Sequence, residues 1–536
     1  MTANASTGSR WSFALLLLLG GALVAAAAML PAFPVDETRY LTVAWEMRVT
    51  GNWSLPTLNF EPYAHKPPLL FWLINASWSL FGVGVWQARL VGVGAAVLVL
   101  VLTHALEKRL APAQTSDTAL GALLLLGLPL FLVLGCAVMF DMLLTATVAG
   151  AMLALWIAGR SGDRKAVVAY GTSIGLGLLA KGPIVLLFTA PAALLARSWV
   201  APAHRPGWFW RMGGALALGA LIGLAWALRA ASIGGADYAE MLLWTQSAGR
   251  ITSSFAHARP AWFYLPVLLL FCLPWLVWRP AWIGLRRSVA AGTPARNFLL
   301  SWLLPGLVGL SLISGKQIHY LLPLVPAVAV LVALGIRTAA LRDTDRLGWA
   351  VLAAGSLAVL AALAMGGGRL FADDSSLASI AGELSLPRLL VIGALALAAI
   401  ALFRGPAQRT LVGLAAANLI VLGGLAVEAR AGMASLFDLQ PVADVVHRFR
   451  DHPIAVAQKT RGELGFLARL AHPVVLVPEE ELSAWLSQHA DGVAVVRTRA
   501  TSHTGDEPVA GRVLYRKRYR LTEMITVVSA VEDVTP

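Results

Sequence analysis

Cysteine is nearly absent from this chain: two in 536 residues, Cys136 and Cys272, both in or beside apolar runs. That scarcity excludes a disulfide framework and a cysteine zinc cluster. Acidic residues are also few, 29 against 42 Lys and Arg, and all charged residues together make up 13% of the chain. No glycine-rich phosphate loop, dinucleotide fingerprint or nucleophile triad is visible, so nothing signals a nucleotide-dependent reaction. No clear internal repeat appears either, which removes the usual mark of a transporter built from repeated halves.

What is abundant is apolar surface. At 58% hydrophobic residues and a mean hydropathy of +0.71, the chain holds far more than one soluble core needs. This composition reads as a polytopic α-helical membrane protein. Apolar runs fall near 11–30, 85–106, 118–135, 138–158, 166–180, 183–197, 212–230, 261–278, 297–314, 318–336, 347–366, 387–403 and 409–427. They predict about thirteen transmembrane helices, each long enough to cross or nearly cross a bilayer. Residues 11–30 are read as a retained span, not a cleaved leader. The run Leu69 to Phe81 follows two prolines and is short for a span, so it is read as a re-entrant or interface-lying helix.

The formal charge of +13 reports orientation, because much of the Lys and Arg sits in short loops between spans. Clusters at Lys108-Arg109, Arg164-Lys165, Arg286-Arg287 and Arg342 with Arg346 fall in alternate loops, which are therefore cytoplasmic. The loop 31–84, the segment 231–260 and everything after about 430 then share the far side, which in a bacterium is the periplasm. Residues 1–430 form the membrane part under this reading. Residues 431–536 have the composition of a soluble α/β module. Strands are expected at Ile454 to Ala457, Val474 to Val477, Val493 to Val496 and Arg512 to Arg520. Helices are expected near Val442 to Arg450, Glu463 to Leu470 and Glu479 to His489. The alternation suggests a small, largely parallel sheet of accessory role.

The far side also collects the chemistry. Between two apolar runs the chain reads VDETRYLTVAWEMRVTGNWSLPTLNFEPYAHKPPLL, and charges this dense cannot lie in hydrocarbon without a cost of a few kcal/mol each. Asp36 and Glu37 supply carboxylates suited to general-base work on a hydroxyl. Lys66, Lys181, Arg250 and Lys316 offer positive charge at the same face, which suits a phosphate. Some of these residues have ordinary readings of equal weight: Asp141 as a helix cap, Lys181 as a snorkelling lysine, and Trp262-Phe263-Tyr264 as an interfacial belt. The break Ser314-Gly315-Lys316-Gln317-Ile318-His319-Tyr320 carries both a lysine and a histidine, more than a plain hairpin requires. His65, His257 and His319 share the face with the two carboxylates, so a divalent cation is a candidate occupant, although scattered external histidines more often serve as simple hydrogen-bonding groups. Cations for a lipid phosphate and a carboxylate for an acceptor together suit a glycosyltransferase using a polyprenyl-phosphate sugar. A flippase of lipid-linked sugars would also want a basic cavity.

The order DETRY, GNW with a following proline, YAHKPPLLFW and SGKQIHYLLP resembles the bacterial aminoarabinose (lipid A) transferase and protein O-mannosyltransferase superfamily, membrane glycosyltransferases of the GT-C fold. The resemblance runs through roughly residues 10–430. It implies a lipid-phosphate sugar donor, inversion at the anomeric carbon, and Asp36 as the base with Glu37 in support. It further implies that Arg39, Tyr40, Asp141 and His257 line the cavity, that Tyr63 and Lys66 hold donor phosphate or sugar, and that Lys181, Arg250 and Tyr320 contact the phosphate or its leaving group. One departure stands out: His65 precedes the KPP lysine, where an acidic residue is expected in the aminoarabinose enzymes.

Overall fold

The computed structural model describes residues 21, 25, 27–29, 31–111, 119–242, 259–272, 275, 278–338, 386–402, 407–428, 437–458, 462–499, 511–519 and 523–530. Most of the expected span 11–30, all of 347–366, and the candidate residues Arg250 and His257 lie outside these residues. The chain opens with helix α1 (Asp36–Thr50), a two-stranded hairpin of β1 (Thr57–Leu58) and β2 (Glu61–Pro62), and α2 (Leu69–Phe81). There follow α3 (Val85–Leu110), α4 (Leu120–Leu126), α5 (Pro129–Gly135), α6 (Phe140–Ser161), α7 (Arg164–Lys181), α8 (Ile184–Leu194) and α9 (Trp208–Glu240). Helices α10 (Tyr264–Phe271), α11 (Arg279–Ala290), α12 (Pro294–Leu312), α13 (Val325–Thr338), α14 (Leu386–Leu402) and α15 (Ala407–Glu428) come next.

Among the described residues, five helices are long and apolar enough to cross a membrane: Val85–Leu110, Phe140–Ser161, Trp208–Glu240, Pro294–Leu312 and Ile318–Thr338. The expected span 118–135 is instead two short helices, α4 and α5. Leu128 is extended and Pro129 starts a new helix, because proline disfavours helical geometry in the residue before it. The expected loop after residue 230 is helical as far as Glu240, with a break at Gly235 (φ 81°).

Packing in the membrane part relies on small residues, because lipid offers no hydrophobic drive to bring helices together. A Cβ on Gly171 of α7 would lie 2.5 Å from the Ala215 carbonyl of α9. A Cβ on Gly335 of α13 would lie 1.8 Å from the Gly284 carbonyl of α11. Both crossings therefore require glycine. The outer face of α9 exposes Trp210, Leu221, Leu224 and Leu228, as a lipid-facing surface should.

The C-terminal residues form a five-stranded sheet in the order β4-β3-β5-β7-β6. Its strands are β3 (Ile454–Val456), β4 (Val475–Leu476), β5 (Val493–Arg499), β6 (Arg512–Tyr519) and β7 (Glu523–Ser529), with α16 (Gln440–His447) and α17 (Leu482–Gln488) against it. Alternation along β5 sends Val493 to the α16 side, while Ala494 and Val496 pack with Leu482 and Leu486 of α17. The sheet is mixed, not largely parallel: β3 runs parallel to β4 and β5, but β5, β7 and β6 are antiparallel neighbours. The difference comes from β7, an apolar strand not anticipated from the sequence, which inserts between β5 and β6. The helix expected over Glu463 to Leu470 is a series of turns, with Gly462 and Arg469 in left-handed geometry.

Candidate active site

Helix α1 begins at the motif. Its first turn carries both carboxylates, favourable at a helix N-terminus, yet the two have opposite surroundings. Glu37 is buried and accepts four hydrogen bonds: from Arg89 Nε (2.7 Å) and a terminal nitrogen (2.6 Å), from the Val138 amide (3.1 Å), and from the Phe33 amide (2.9 Å). Arg89 also donates to the carbonyls of Ala27 (2.7 Å) and Pro31 (2.6 Å). This bidentate pair ties the chain before α1, the start of α3 and the approach to α6 into one knot. Among the described residues Asp36 forms its ion pair with Arg39 on its own helix, and its side chain is 48% exposed. Of the two expected carboxylates, Asp36 is half exposed and Glu37 is buried in an ion pair.

The wall behind Asp36 is aromatic. Tyr40 meets Phe140 edge to face at 4.8 Å, Phe71 meets Phe140 at 5.5 Å, and Arg39 lies over the Tyr40 ring. Burial pushes the Tyr40 phenol up, so the ring remains neutral. Lys66 brings its ammonium over the Phe140 ring at 5.6 Å, a cation–π contact at the same wall. Tyr63 is buried, its ring 5.2 Å from that of the exposed His65.

A second cluster completes the site. Asp141, in the first turn of α6, accepts from Lys181 Nζ at 2.5 Å and has His319 Nε2 at 3.6 Å. Lys181 lies over the Tyr320 ring at 4.4 Å, and the His319 and Tyr320 rings meet edge to face at 4.9 Å. Asp141 is therefore an ion-pair partner and not merely a cap. Lys66 and His319 lie within electrostatic reach of Asp141, and Asp36 within reach of His319, which joins the two clusters. Lys316 is occupied differently from the expectation. It is buried, and its ammonium donates to the carbonyls of Arg259 (3.0 Å) and Ile313 (2.5 Å), where it clamps a turn instead of facing a phosphate.

For a divalent cation, no three or more His, Cys, Asp or Glu among the described residues are placed so that they could hold a metal ion together. The Lys181 ammonium already stands against Asp141 where a metal would bind, and Arg39 stands against Asp36. These residues do not fit a metal centre.

Sequence reasoning missed Arg89 and the aromatic pair Phe71 and Phe140. Arg89 left a usable signal, since an arginine inside an apolar span is functional or paired by default. The aromatic wall left none, because phenylalanine in an apolar run is unremarkable.

A family model described as dolichyl-phosphate-mannose-protein mannosyltransferase matches residues 65–228. An undecaprenyl phosphate-alpha-4-amino-4-deoxy-L-arabinose arabinosyl transferase of Pseudomonas aeruginosa is 32% identical over 347 residues, 61% of this chain and 61% of that protein. The protein of the same name from Erwinia tasmaniensis is 30% identical over 303 residues, 56% of this chain and 54% of that protein. The chain thus matches about 54% to 61% of the length of these relatives. Among solved structures, ArnT from Cupriavidus metallidurans bound to undecaprenyl phosphate superposes with a TM-score of 0.77 at 18% identity, covering 98% of this chain and 99% of that one. The apo form gives a TM-score of 0.76. The chain is a multi-pass membrane protein with the helical GT-C fold of ArnT, and the resemblance to the aminoarabinose transferase and protein mannosyltransferase superfamily is borne out.

Proposed function

We propose that this chain is an inverting glycosyltransferase of the bacterial inner membrane that moves a sugar from a polyprenyl phosphate to an acceptor at the periplasmic face. The observation that carries the reading is the pairing of one open carboxylate, Asp36, with the cations Lys66 and Lys181 at the same end of the membrane helices. The relatives named as using undecaprenyl phosphate-aminoarabinose support that donor class and make lipid A the first acceptor to test.

The chemistry is a single displacement. The acceptor oxygen attacks the anomeric carbon while Asp36 takes its proton, and the bond from that carbon to the phosphate oxygen breaks with its electron pair. Lys66 and Lys181 stabilise the departing polyprenyl phosphate, and their aromatic surroundings keep those charges poorly solvated and strongly felt. Arg39 holds the Asp36 carboxylate in place. Tyr63 and Tyr320 flank the donor. No nucleotide is required, because the lipid phosphate is itself the leaving group. Arg250 and His257 extend the cationic and cavity-lining sets under this reading.

Mass spectrometry of lipid A and of envelope glycans, from cells with and without the protein, tests the proposal directly. A sugar-sized mass present on lipid A only in cells carrying the protein is the expected result. Loss of sugar from a protein instead would move the acceptor to the protein O-glycosyltransferase alternative. Transport of lipid-linked sugar with no transfer product would favour a flippase. The topology predicts that Glu61→Cys is labelled by an impermeant thiol reagent from the periplasm, whereas Ala291→Cys reacts only after the inner membrane is broken.

A further inference from the structure

The C-terminal module grips the site through one segment, residues 462–474, and the grip falls on both halves of the machinery. On helix α1, Thr42 donates its hydroxyl to the Gly462 carbonyl (2.7 Å) and accepts from the Phe466 amide (2.9 Å), and both bonds are buried. Thr42 stands one helical turn from Arg39, and an ideal Cβ on Gly462 would lie 3.5 Å from the Arg39 Cα. One turn further on, Trp45 donates its indole N–H to the Leu470 carbonyl at 2.8 Å. Gly465 is required for this fit, since its Cβ would lie 2.5 Å from Thr42 Cγ2.

The same segment ends on the hairpin that leads to Tyr63 and Lys66. The Asn59 side chain donates to the Val474 carbonyl (3.1 Å) and accepts from the Val474 amide (2.9 Å), so a side-chain amide replaces one rung of a β-ladder. Asn59 and Phe60 adopt left-handed geometry (φ 56° and 62°), uncommon for residues other than glycine. The turn is held from inside by Glu46 of α1, which accepts from the Thr57 hydroxyl (2.8 Å), the Asn59 amide (2.8 Å) and the Phe60 amide (2.9 Å). Tyr63 then closes the loop with its amide on the Pro56 carbonyl at 2.8 Å. Between the two contacts Phe466 stacks on Trp78 of α2, with ring centroids 5.0 Å apart and planes 4° from parallel.

We propose that segment 462–474 is a positioning element for the transfer reaction: through Thr42 it sets the helix that carries Asp36 and Arg39, and through Asn59 it sets the loop that carries Tyr63 and Lys66. The inference rests on the glycosyltransferase reading. Its content is that base and donor cation sit on separate pieces of chain, joined directly by Glu46 and braced by a third piece, and a misplacement of about 1 Å at a reacting centre can cost about a hundredfold in rate.

The two contacts should therefore fail differently. In purified full-length protein with an undecaprenyl-phosphate sugar, Thr42→Val lowers kcat about tenfold with KM within about twofold, while Asn59→Ala raises donor KM about five- to tenfold with kcat within about twofold. Thr42→Ser, which keeps both hydrogen bonds, stays near wild type, and Gly465→Ala follows Thr42→Val, so the prediction survives poor folding of any one variant. Undecaprenyl phosphate titrated in detergent micelles should bind Asn59→Ala more weakly and Thr42→Val normally. Active wild-type protein whose Thr42→Val and Asn59→Ala variants change kcat and KM in equal proportion, or change only the melting temperature, overturns the inference. Wild-type protein that binds the lipid but transfers nothing overturns the glycosyltransferase reading instead, and the Asn59→Ala titration then still decides the positioning claim for the loop.

Discussion

Helix α3 carries a buried ion pair near each end, about 27 Å apart along its axis, and the two ends differ in what surrounds the pair. At the far end Glu107 accepts from Arg337 (2.7 and 2.8 Å) and from the Gly121 amide (2.9 Å), and there the charges close on one another. At the near end Arg89 and Glu37 close just as fully, but the adjacent residue, Asp36, is half exposed and paired with Arg39 of its own helix. A buried pair is thus a structural clip in both places. What distinguishes the site is the half-exposed carboxylate beside it.

The largest effect comes from breaking either clip. Arg89→Leu and Arg337→Leu each strand a buried carboxylate and should cost about 3 to 5 kcal/mol of stability, read as lost melting temperature or lost folded yield in detergent. The comparison sharpens with paired replacements. Glu107→Gln with Arg337→Met should recover much of the stability and retain transfer, because that end holds no chemistry. Glu37→Gln with Arg89→Met should recover stability while transfer stays depressed, because the α1 start that carries Asp36 loses its anchor. Equal recovery of transfer in both double variants would erase the distinction.

Lys66→Ala should weaken the donor by about 2 to 5 kcal/mol as well as slow turnover, since a charge-assisted phosphate contact serves both binding and departure. Titration with undecaprenyl phosphate checks the first part. Lys316→Met should leave that affinity unchanged and cost about 1 to 3 kcal/mol of stability, because its ammonium satisfies two backbone carbonyls. A weakened donor in Lys316→Met would return that lysine to the phosphate set expected from sequence.

The smallest effect is a pH slope at Glu46. Burial raises its carboxyl above the ordinary 4.5, against the hydrogen bonds from Phe60, Thr57 and Asn59. A group that binds its proton more tightly when folded contributes stability fully below its unfolded value, and that contribution is lost as pH rises through the folded value. Melting temperature should therefore fall with rising pH above 4.5 more steeply in wild type than in Glu46→Gln. An identical slope in the two proteins would show that Glu46 does not titrate in that window.

The membrane class and the site's location were legible because both rest on patterns local in sequence: long apolar runs, and charge massed between two of them. Asp36, Lys66, Lys181 and Asp141 were legible for the same reason, as charged residues where hydrocarbon would penalise them. The different surroundings of Asp36 and Glu37 were not, since they depend on Arg89, 52 positions further on from Glu37. Lys316 looked like a phosphate ligand until its turn placed two carbonyls around it. In the C-terminal module β7 was missed, and with it the mixed sheet. The turns at 463–470 were read as helix, because Phe466 serves a docking contact with Trp45 of α1 and Trp78 of α2 that periodicity cannot express.

The central claim is that of two adjacent carboxylates one does chemistry and the other holds structure. Single-turnover transfer by purified Asp36→Asn, alongside titration of its donor affinity and melting temperature, tests it most directly. Asp36→Asn should bind undecaprenyl-phosphate sugar nearly as wild type does, melt within about 0.5 kcal/mol of it as exposed positions generally do, and transfer nothing to a hydroxyl acceptor. Transfer near the wild-type rate at saturating donor would contradict the account and remove Asp36 from the role of base.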